Sequence, residues 1–214
     1  MAHLFRIDAS IRQHGSFSRS VADTFQATWT AAHPSGTVSV RDLGRDPLPY
    51  LTQFDFEASQ IPDAERTLEQ RAAATRSTAL VDELLDADAI LLGIPLYNFG
   101  TPASVKTWID HLLRDPRTRQ HGLLAGRPAV LVSARGGSYR PGTPREGWDY
   151  AEPYLRRILG DVFGLDLQVI TPELTLAEVN PALAAFKEHA KASLVEAHDQ
   201  ADAAARDLVS RVAA

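Results

Sequence analysis

One stretch, Ala89 to Asp110, constrains this chain more than any other: Ala-Ile-Leu-Leu-Gly-Ile-Pro-Leu-Tyr-Asn-Phe-Gly-Thr-Pro-Ala-Ser-Val-Lys-Thr-Trp-Ile-Asp. Ala89 to Ile94 is apolar without polar alternation, the pattern of a strand covered on both faces of a parallel sheet. Pro95 has no N–H to give a central ladder and ends the strand. Thr101 and Pro102 suit the N-cap and first position of a helix. Between them, Leu96, Tyr97, Asn98, Phe99 and Gly100 fall at the carboxyl end of a buried strand. Open α/β sheets take their ligands there.

The rest of the chain repeats this grammar. Leu4 to Ile7 is a first strand, and a helix follows with Val21, Phe25 and Trp29 four apart on one face. After the turn Pro34-Ser35-Gly36, Thr37 to Val40 is a second strand. Gly44 to Gln60 reads as a long irregular segment carrying Pro47, Pro49, Tyr50, Phe54 and Phe56. Such a loop is either a dimer or pocket rim or a surface excursion with aromatic anchors. Pro62-Asp63 opens a long helix to about Asp86, with Leu68, Ala72, Leu80, Leu84 and Leu85 inward. Val105, Trp108, Ile109 and Leu112 form the buried stripe of the next helix, which leaves Lys106 and His111 at a surface or interface. Pro128 to Val132 is a fourth strand, Trp148 to Phe163 a helix and Leu167 to Ile170 a fifth strand. Pro181 to Val212 closes the chain as an alanine-rich helix packed through Leu183, Phe186, Ala190 and Leu194. Five strands, each followed by a helix, predict one α/β domain over residues 1–214. Its expected form is a doubly wound five-stranded parallel sheet, order 2-1-3-4-5, with helices on both faces. In that order the loops after strands one, three and four converge on one crevice.

Each of those loops carries ligand-binding chemistry. Asp8 to Ser18 is rich in hydroxyls and feeds a helix N-terminus, where free amides and the helix dipole favour an anion. Ser16 and Ser18 can cap the helix at the same time. His14 reads as a solvated loop residue. Leu96 to Gly100 offers amides, an amide side chain and two aromatic rings, which suit a flat heterocycle with polar edges. Ser133-Ala134-Arg135-Gly136-Gly137-Ser138-Tyr139 has paired glycines that let the backbone approach a ligand closely. The 22 basic against 27 acidic residues argue against nucleic acid as a partner. No apolar run approaches the roughly 20 residues of a membrane span. The N-terminus enters a strand without the long apolar core of a signal peptide, so the cytoplasm is the expected compartment. The absence of cysteine excludes disulfides, thiolate metal sites and cysteine nucleophiles, and no metal site is expected. There is no Gly-x-Ser-x-Gly elbow of a serine hydrolase.

Pro-Leu-Tyr-Asn-Phe, followed by Lys106 on the next helix, resembles the flavin loop of the FMN-dependent NAD(P)H azoreductase/quinone reductase family. Arg41-Asp42-Leu43 and Arg135-Gly136-Gly137 match further segments of that family, in collinear order over nearly the whole chain. The resemblance implies a flavodoxin-like fold, FMN as cofactor, NADH or NADPH as co-substrate, and ping-pong two-electron reduction of a quinone or azo-type acceptor. It assigns the FMN phosphate to Ser10, Ser16 and Ser18 with the main chain around Phe17. Pro95, Leu96, Tyr97, Asn98 and Phe99 would hold and position the ring, and Arg135, Gly136, Gly137 and Tyr139 its pyrimidine edge. No side chain need act as a nucleophile, since the flavin carries the hydride. The resemblance also implies a homodimer, with Tyr50 to Phe56 and the Trp108 helix as candidate interface parts. Two other readings use the same scaffold: one step on a specific small aromatic or biosynthetic intermediate, and a flavodoxin-like electron carrier. The near balance of charge counts against the carrier.

Several positions depart from the family pattern. Ala9 and Ala134 stand where relatives often have serine, and Phe17 where a polar residue is common. Where relatives continue an apolar segment after the third helix, this chain has Arg114-Asp115-Pro116-Arg117-Thr118-Arg119-Gln120-His121-Gly122. Asp161 follows Leu159-Gly160 where an aromatic is usual. These changes predict smaller acceptors than bulky azo dyes, with Arg117 or Arg119 drawing an anionic group and Asp161 near the substrate.

Overall fold

The structure is a computed structural model and describes residues 1–119 and 122–212. Five strands, β1 (His3–Asp8), β2 (Thr37–Asp42), β3 (Ala89–Gly93), β4 (Pro128–Val132) and β5 (Asp166–Ile170), form one parallel sheet in the order β2-β1-β3-β4-β5. This is the expected topology. β1 and β3 are central, and their alternate residues feed two separate cores. Phe5, Ile7, Ile90 and Leu92 face helices α3 (Leu68–Leu85), α4 (Ala103–Leu112) and α5 (Ala151–Leu155). Leu4, Ala89 and Leu91 face helices α1 (Phe17–Ala32) and α6 (Lys187–Val212). A strand with both faces covered must be apolar at every position, which is why Ala89 to Gly93 shows no alternation.

The structure corrects the expectation in four places. Residues 44–60 are not wholly irregular: a short helix, α2 (Gln53–Gln60), begins at Thr52. The Thr52 side chain accepts the Asp55 N–H, and the Asp55 carboxylate accepts the Thr52 N–H. Aspartate in place of the usual glutamate or glutamine hides this capping box in the sequence. The long helix expected from Pro62 is broken. A second capping box, Thr67 with Gln70, starts α3 at Leu68 and leaves Leu68 85% exposed at its first turn. Its buried face is Ala73, Ser77, Leu80, Val81 and Leu84. The last helix packs through Ala197, Ala201, Ala204, Ala205 and Leu208, with the expected Leu194 partly buried on the same stripe, whereas Phe186 lies in a preceding 3-10 segment, Pro181–Phe186, and is exposed. His111 is fully buried, since Pro49 and the chain leading to α2 lie across α4. After α5 the helix widens over Arg156–Val162, where the Phe163 N–H reaches the Ile158 carbonyl five residues back. No helix among the described residues is long and apolar enough to cross a membrane.

Candidate functional site

The carboxyl ends of β1, β3 and β4 open into a cavity of about 420 Å³. That lies within the roughly 300–1,000 Å³ of sites that enclose small ligands. Its floor is the segment from Ser10 to Ser18. Ser16 caps α1 and its Oγ lies 3.3 Å from that of Ser18. The first-turn amides of an α-helix have no partner inside the helix; in α1 Ser16 Oγ takes that of Arg19, and among the described residues those of Phe17 and Ser18, both lining the cavity, have none. Ser10, Ser16 and Ser18 are buried as residues yet line this space, as does Arg12. Among the described residues that line it, none carries a carboxylate. Hydroxyls, helix-terminal amides and no acid make a donor set for an anion.

Arg19 fixes that floor from behind. Its Nη1 and Nη2 donate to the two oxygens of Asp42 at 2.8 and 2.7 Å, at the end of β2. Nη2 also donates to the Ser10 carbonyl at 2.7 Å and Nε to the Arg12 carbonyl at 3.1 Å. Asp8 lies 3.3 Å from the same guanidinium and 2.9 Å from that of Arg6. Burial raises the Asp8 carboxyl above the usual carboxylate range, against the pull of both arginines. Burial also pushes Asp42 up, but its bonds from Arg19 and from the Gly44 and Arg45 amides outweigh it and hold the group below that range. Gly44 packs directly against Ser10: a Cβ there would stand 2.1 Å from the Ser10 carbonyl oxygen.

The wall after β3 is a tight turn closed by reciprocal bonds between Tyr97 and Gly100. Asn98 (φ 48°) and Phe99 (φ 68°) take left-handed backbone conformations. Asparagine tolerates that region; for phenylalanine it is a strained state, of the kind that collects at binding sites. Tyr97 crosses the crevice, and its hydroxyl accepts the Ile11 N–H at 3.1 Å and lies 3.4 Å from Ser10 Oγ. One phenol therefore ties the β3 loop to the β1 loop. The third wall is Ala134 and Gly136, braced by the loop after β5: the carbonyls of Arg135, Gly136 and Gly137 accept the N–H groups of Thr175, Leu176 and Leu174. A Cβ on Gly136 would come within 2.7 Å of Leu176 Cδ1, so the close fit there uses the missing side chain.

Ser10, Ser16, Phe17, Ser18, Pro95, Leu96, Tyr97, Asn98 and Gly136 thus surround one cavity. Phe99, Gly137 and Tyr139 stand at its rim, with the Phe99 ring 6.3 Å from Tyr139 and 5.5 Å from Trp148. Arg135 is adjacent in sequence but its guanidinium turns away. It pairs with Asp149 at 2.7 Å, with Glu152, and with Glu173 at 3.5 Å, while its N–H donates to the Pro172 carbonyl and its carbonyl accepts from Thr175, so Arg135 fixes the loop from behind and does not line the cavity.

The structure does not bring Arg117 or Asp161 to the cavity. The helix after β3 runs back to the amino ends of the strands, so the connection from residue 113 lies at the opposite edge of the sheet. There Arg117 bonds Asp115, Asp82 and the Thr78 carbonyl. Asp161, also at that edge, is exposed and pairs with Arg157 one turn back. The side chain of Arg119 lies outside the described residues, as do Gln120 and His121. Sequence reasoning missed Thr175 and Leu176, which line the cavity. Thr171-Pro172 closes β5 as Pro95 closes β3, and that shared signal placed the loop at the same edge. It also missed Arg145 and Trp148 beside Phe99.

A family of flavodoxin-like fold matches residues 2–204. A protein of Streptomyces avermitilis named FMN-dependent NADH:quinone oxidoreductase is 42% identical over 217 residues, which is 100% of both chains. A Streptomyces coelicolor protein of the same name is 41% identical over 216 residues, 100% of this chain and 98% of its own. The crystal structure of azoreductase from Bacillus anthracis str. Sterne superposes with a TM-score of 0.82 at 25% identity, over 97% of this chain and 100% of its own. The chain belongs to the flavodoxin-like family that includes these quinone oxidoreductases and azoreductases.

Proposed function

We propose that this protein is an FMN-dependent NADH oxidoreductase that reduces quinone or azo-type aromatic acceptors in two-electron, ping-pong turnovers, with residues 1–214 as one FMN-binding domain. The observation that carries this reading is the hydroxyl-lined, carboxylate-free floor at the α1 N-terminus, opposite a strained aromatic turn and a glycine wall. A terminal phosphate fits that floor, through Ser10, Ser16, Ser18 and the amides at Phe17 and Ser18. Pro95 to Phe99 and the main chain of Gly136 and Gly137 would hold the ring, with Arg135 fixing that loop from behind and Tyr139 at the rim. The chemistry that FMN supplies when bound is transfer of two electrons from NADH to the acceptor.

The chain's own residues bind, orient and polarise. Tyr97 keeps the β1 and β3 loops at a fixed separation through its bond to Ile11. The main-chain N–H groups of Asn98, Gly136 and Gly137 would be preformed donors, which stabilise negative charge without reorganising at the moment of reaction. Tyr50, Phe54 and Phe56 are exposed together on the segment around α2, which supports a homodimer. Trp108 is buried in the core and takes no part in that surface. We place the enzyme in the cytoplasm, where NADH is supplied. The test is the heat-released cofactor of the purified protein, together with NADH oxidation driven by a quinone. FMN and a quinone-dependent rate are expected; FAD, no flavin on reconstitution, or no rate would reject the reading.

A further inference from the structure

Among the described residues two arginines near the site, Arg12 on its floor and Arg145 at its rim, have no carboxylate within ion-pair distance, and of the two it is Arg145 that lies over an aromatic ring. Its guanidinium lies 5.7 Å from the centroid of the Phe99 ring. Among the described residues no carboxylate lies within ion-pair distance of it. Two features hold it there. A turn at Gly147 (φ 76°) returns the chain so that the Trp148 N–H meets the Arg145 carbonyl at 3.1 Å. The Tyr150 N–H then bonds the Phe99 carbonyl at 2.9 Å, which ties the segment to the strained turn of the cavity wall. Trp148 meets the Phe99 ring edge-on at 5.5 Å and remains half exposed. Behind the guanidinium is Gly137, where a Cβ would lie 3.7 Å from Nη1. An unpaired cation, an exposed indole and a phenyl ring therefore share the rim where Asn98 and Gly136 line the cavity.

We propose that Phe99, Trp148 and Arg145 form an acceptor subsite that selects aromatic acceptors bearing a carboxylate or sulfonate. This rests on the oxidoreductase reading above and names its substrate class. The indole and phenyl faces take the aromatic ring of any acceptor. The guanidinium, planar and weakly hydrated, offers a fork of N–H donors to a two-oxygen anion. Its place also answers a problem of charge. A chain with a formal net charge of −5 repels anions on average, and an unpaired cation at the mouth reverses that locally. The anion-drawing role foreseen for Arg117 or Arg119 falls in this proposal to Arg145, since Asp115 and Asp82 hold Arg117 at the far end of the sheet and the Arg119 side chain lies outside the described residues.

The test compares 1,4-naphthoquinone-2-sulfonate with 2-methyl-1,4-naphthoquinone as acceptors for the FMN-loaded enzyme, in wild type, Arg145→Gln and Arg145→Lys. The ratio of kcat/KM, sulfonated over neutral, should fall about tenfold in Arg145→Gln, the usual weight of a hydrogen bond to a charged group. Arg145→Lys should retain part of it, because the charge survives and the fork does not. Calorimetric titration with naphthalene-2-sulfonate, which is not reduced, should show the same order of affinities. A ratio that moves less than about twofold, an equal loss for both quinones, or a loss confined to the KM for NADH would overturn the subsite. If the wild type oxidises NADH with neither quinone, the functional reading itself fails. If it reduces both and only the ratio stays flat, that reading stands and the subsite alone falls.

Discussion

Arg19 stands behind the floor of the cavity and Arg145 on its rim, and the two residues are used in opposite ways. Arg19 is largely buried and spends every donor group on protein: Asp42, the carbonyls of Ser10 and Arg12, and a close approach to Asp8. Among the described residues, Arg145 on the rim has one attractive partner, the ring of Phe99. A guanidinium saturated by carboxylates and carbonyls builds a shape. One resting on a ring keeps its N–H groups for something else. The difference teaches that charge near a site says little until its partners are counted. It also predicts that damage to the floor appears as lost stability and lost cofactor, and damage to the rim as changed selectivity.

The largest effect should come from breaking the floor. Arg19→Met removes four hydrogen bonds and leaves Asp8 and Asp42 without their shared cation. Removing one partner of a buried ion pair costs about 3–5 kcal/mol. Arg19 keeps some access to water, so the lower end is expected, about 3 kcal/mol by urea unfolding of the cofactor-free protein. FMN affinity should fall at least about tenfold, because the Ser10 and Arg12 carbonyls lose their anchor. A loss below about 1 kcal/mol, the range of an exposed pair, would show that the floor is no stiffer than the rim.

Gly44→Ala should come next. The added methyl would meet the Ser10 carbonyl oxygen at 2.1 Å and its carbon at 2.7 Å, both backbone atoms that cannot swing aside as a side chain can. Overpacking of this kind costs about 1–3 kcal/mol. The displaced Ser10 should weaken FMN binding as well as the fold, whereas alanine at Gly147 on the rim should leave FMN affinity within about twofold. Equal effects at the two glycines would erase the distinction.

A third effect is set by pH and lies between floor and rim. His111 Nε2 donates to the Pro49 carbonyl at 2.8 Å, so that nitrogen carries the proton. Nδ1 is buried and has no partner among the described residues. Burial, with help from Arg76 and Arg114 and against the Pro49 bond and Asp55, lowers the imidazole below its ordinary value of about 6.5. A base whose folded value is lowered gives stability that is complete above the unfolded value and is lost as pH falls below it. Thermal midpoints should therefore drop between pH 7 and 5.5, and His111→Gln should flatten that slope while lowering the midpoint at pH 7. An unchanged slope would mean that the Pro49–α2 segment is held by other contacts, such as the bond from Arg114 to the Asp55 carbonyl.

The sheet order and the three loops were legible because each rests on local signals: apolar runs, prolines that end strands, hydroxyls before a helix. Leu176 and Thr175 follow such a signal, Pro172 after β5, but that signal places only the loop; they reach the cavity because β5 lies beside β4 and their amides bond the Arg135 and Gly136 carbonyls. Arg135 was legible as part of a loop but its direction was not, since Asp149, Glu152 and Glu173 are brought to it by the fold. Position along the chain can be read from periodicity. The direction of a long charged side chain depends on partners far away in sequence.

Arg117 is the sharpest case and gives the smallest expected effect. The run of cations from Arg114 to His121 reads as an open basic loop. In the fold, Arg117 bonds buried Asp115 through Nε and Nη2 at 2.9 and 2.8 Å, and Asp82 through Nη1 at 2.7 Å. These bonds, from Asp115 first and then Asp82, raise the guanidinium above its already high ordinary value, so it stays charged at every working pH. They also hold Asp115 below the usual carboxylate range, although burial opposes this. Arg117 is itself more than a third exposed, which screens the pair, so Arg117→Ala should cost only about 1 kcal/mol of stability. Because the residue sits at the amino edge of the sheet, its loss should leave FMN affinity and the sulfonated-to-neutral quinone ratio within about twofold, or ~0.4 kcal/mol. Arg145→Gln measured beside it should show the reverse pattern, with stability kept and the ratio reduced. If Arg117→Ala instead lowers the ratio as Arg145→Gln does, the contrast between bound and unbound guanidinium groups fails.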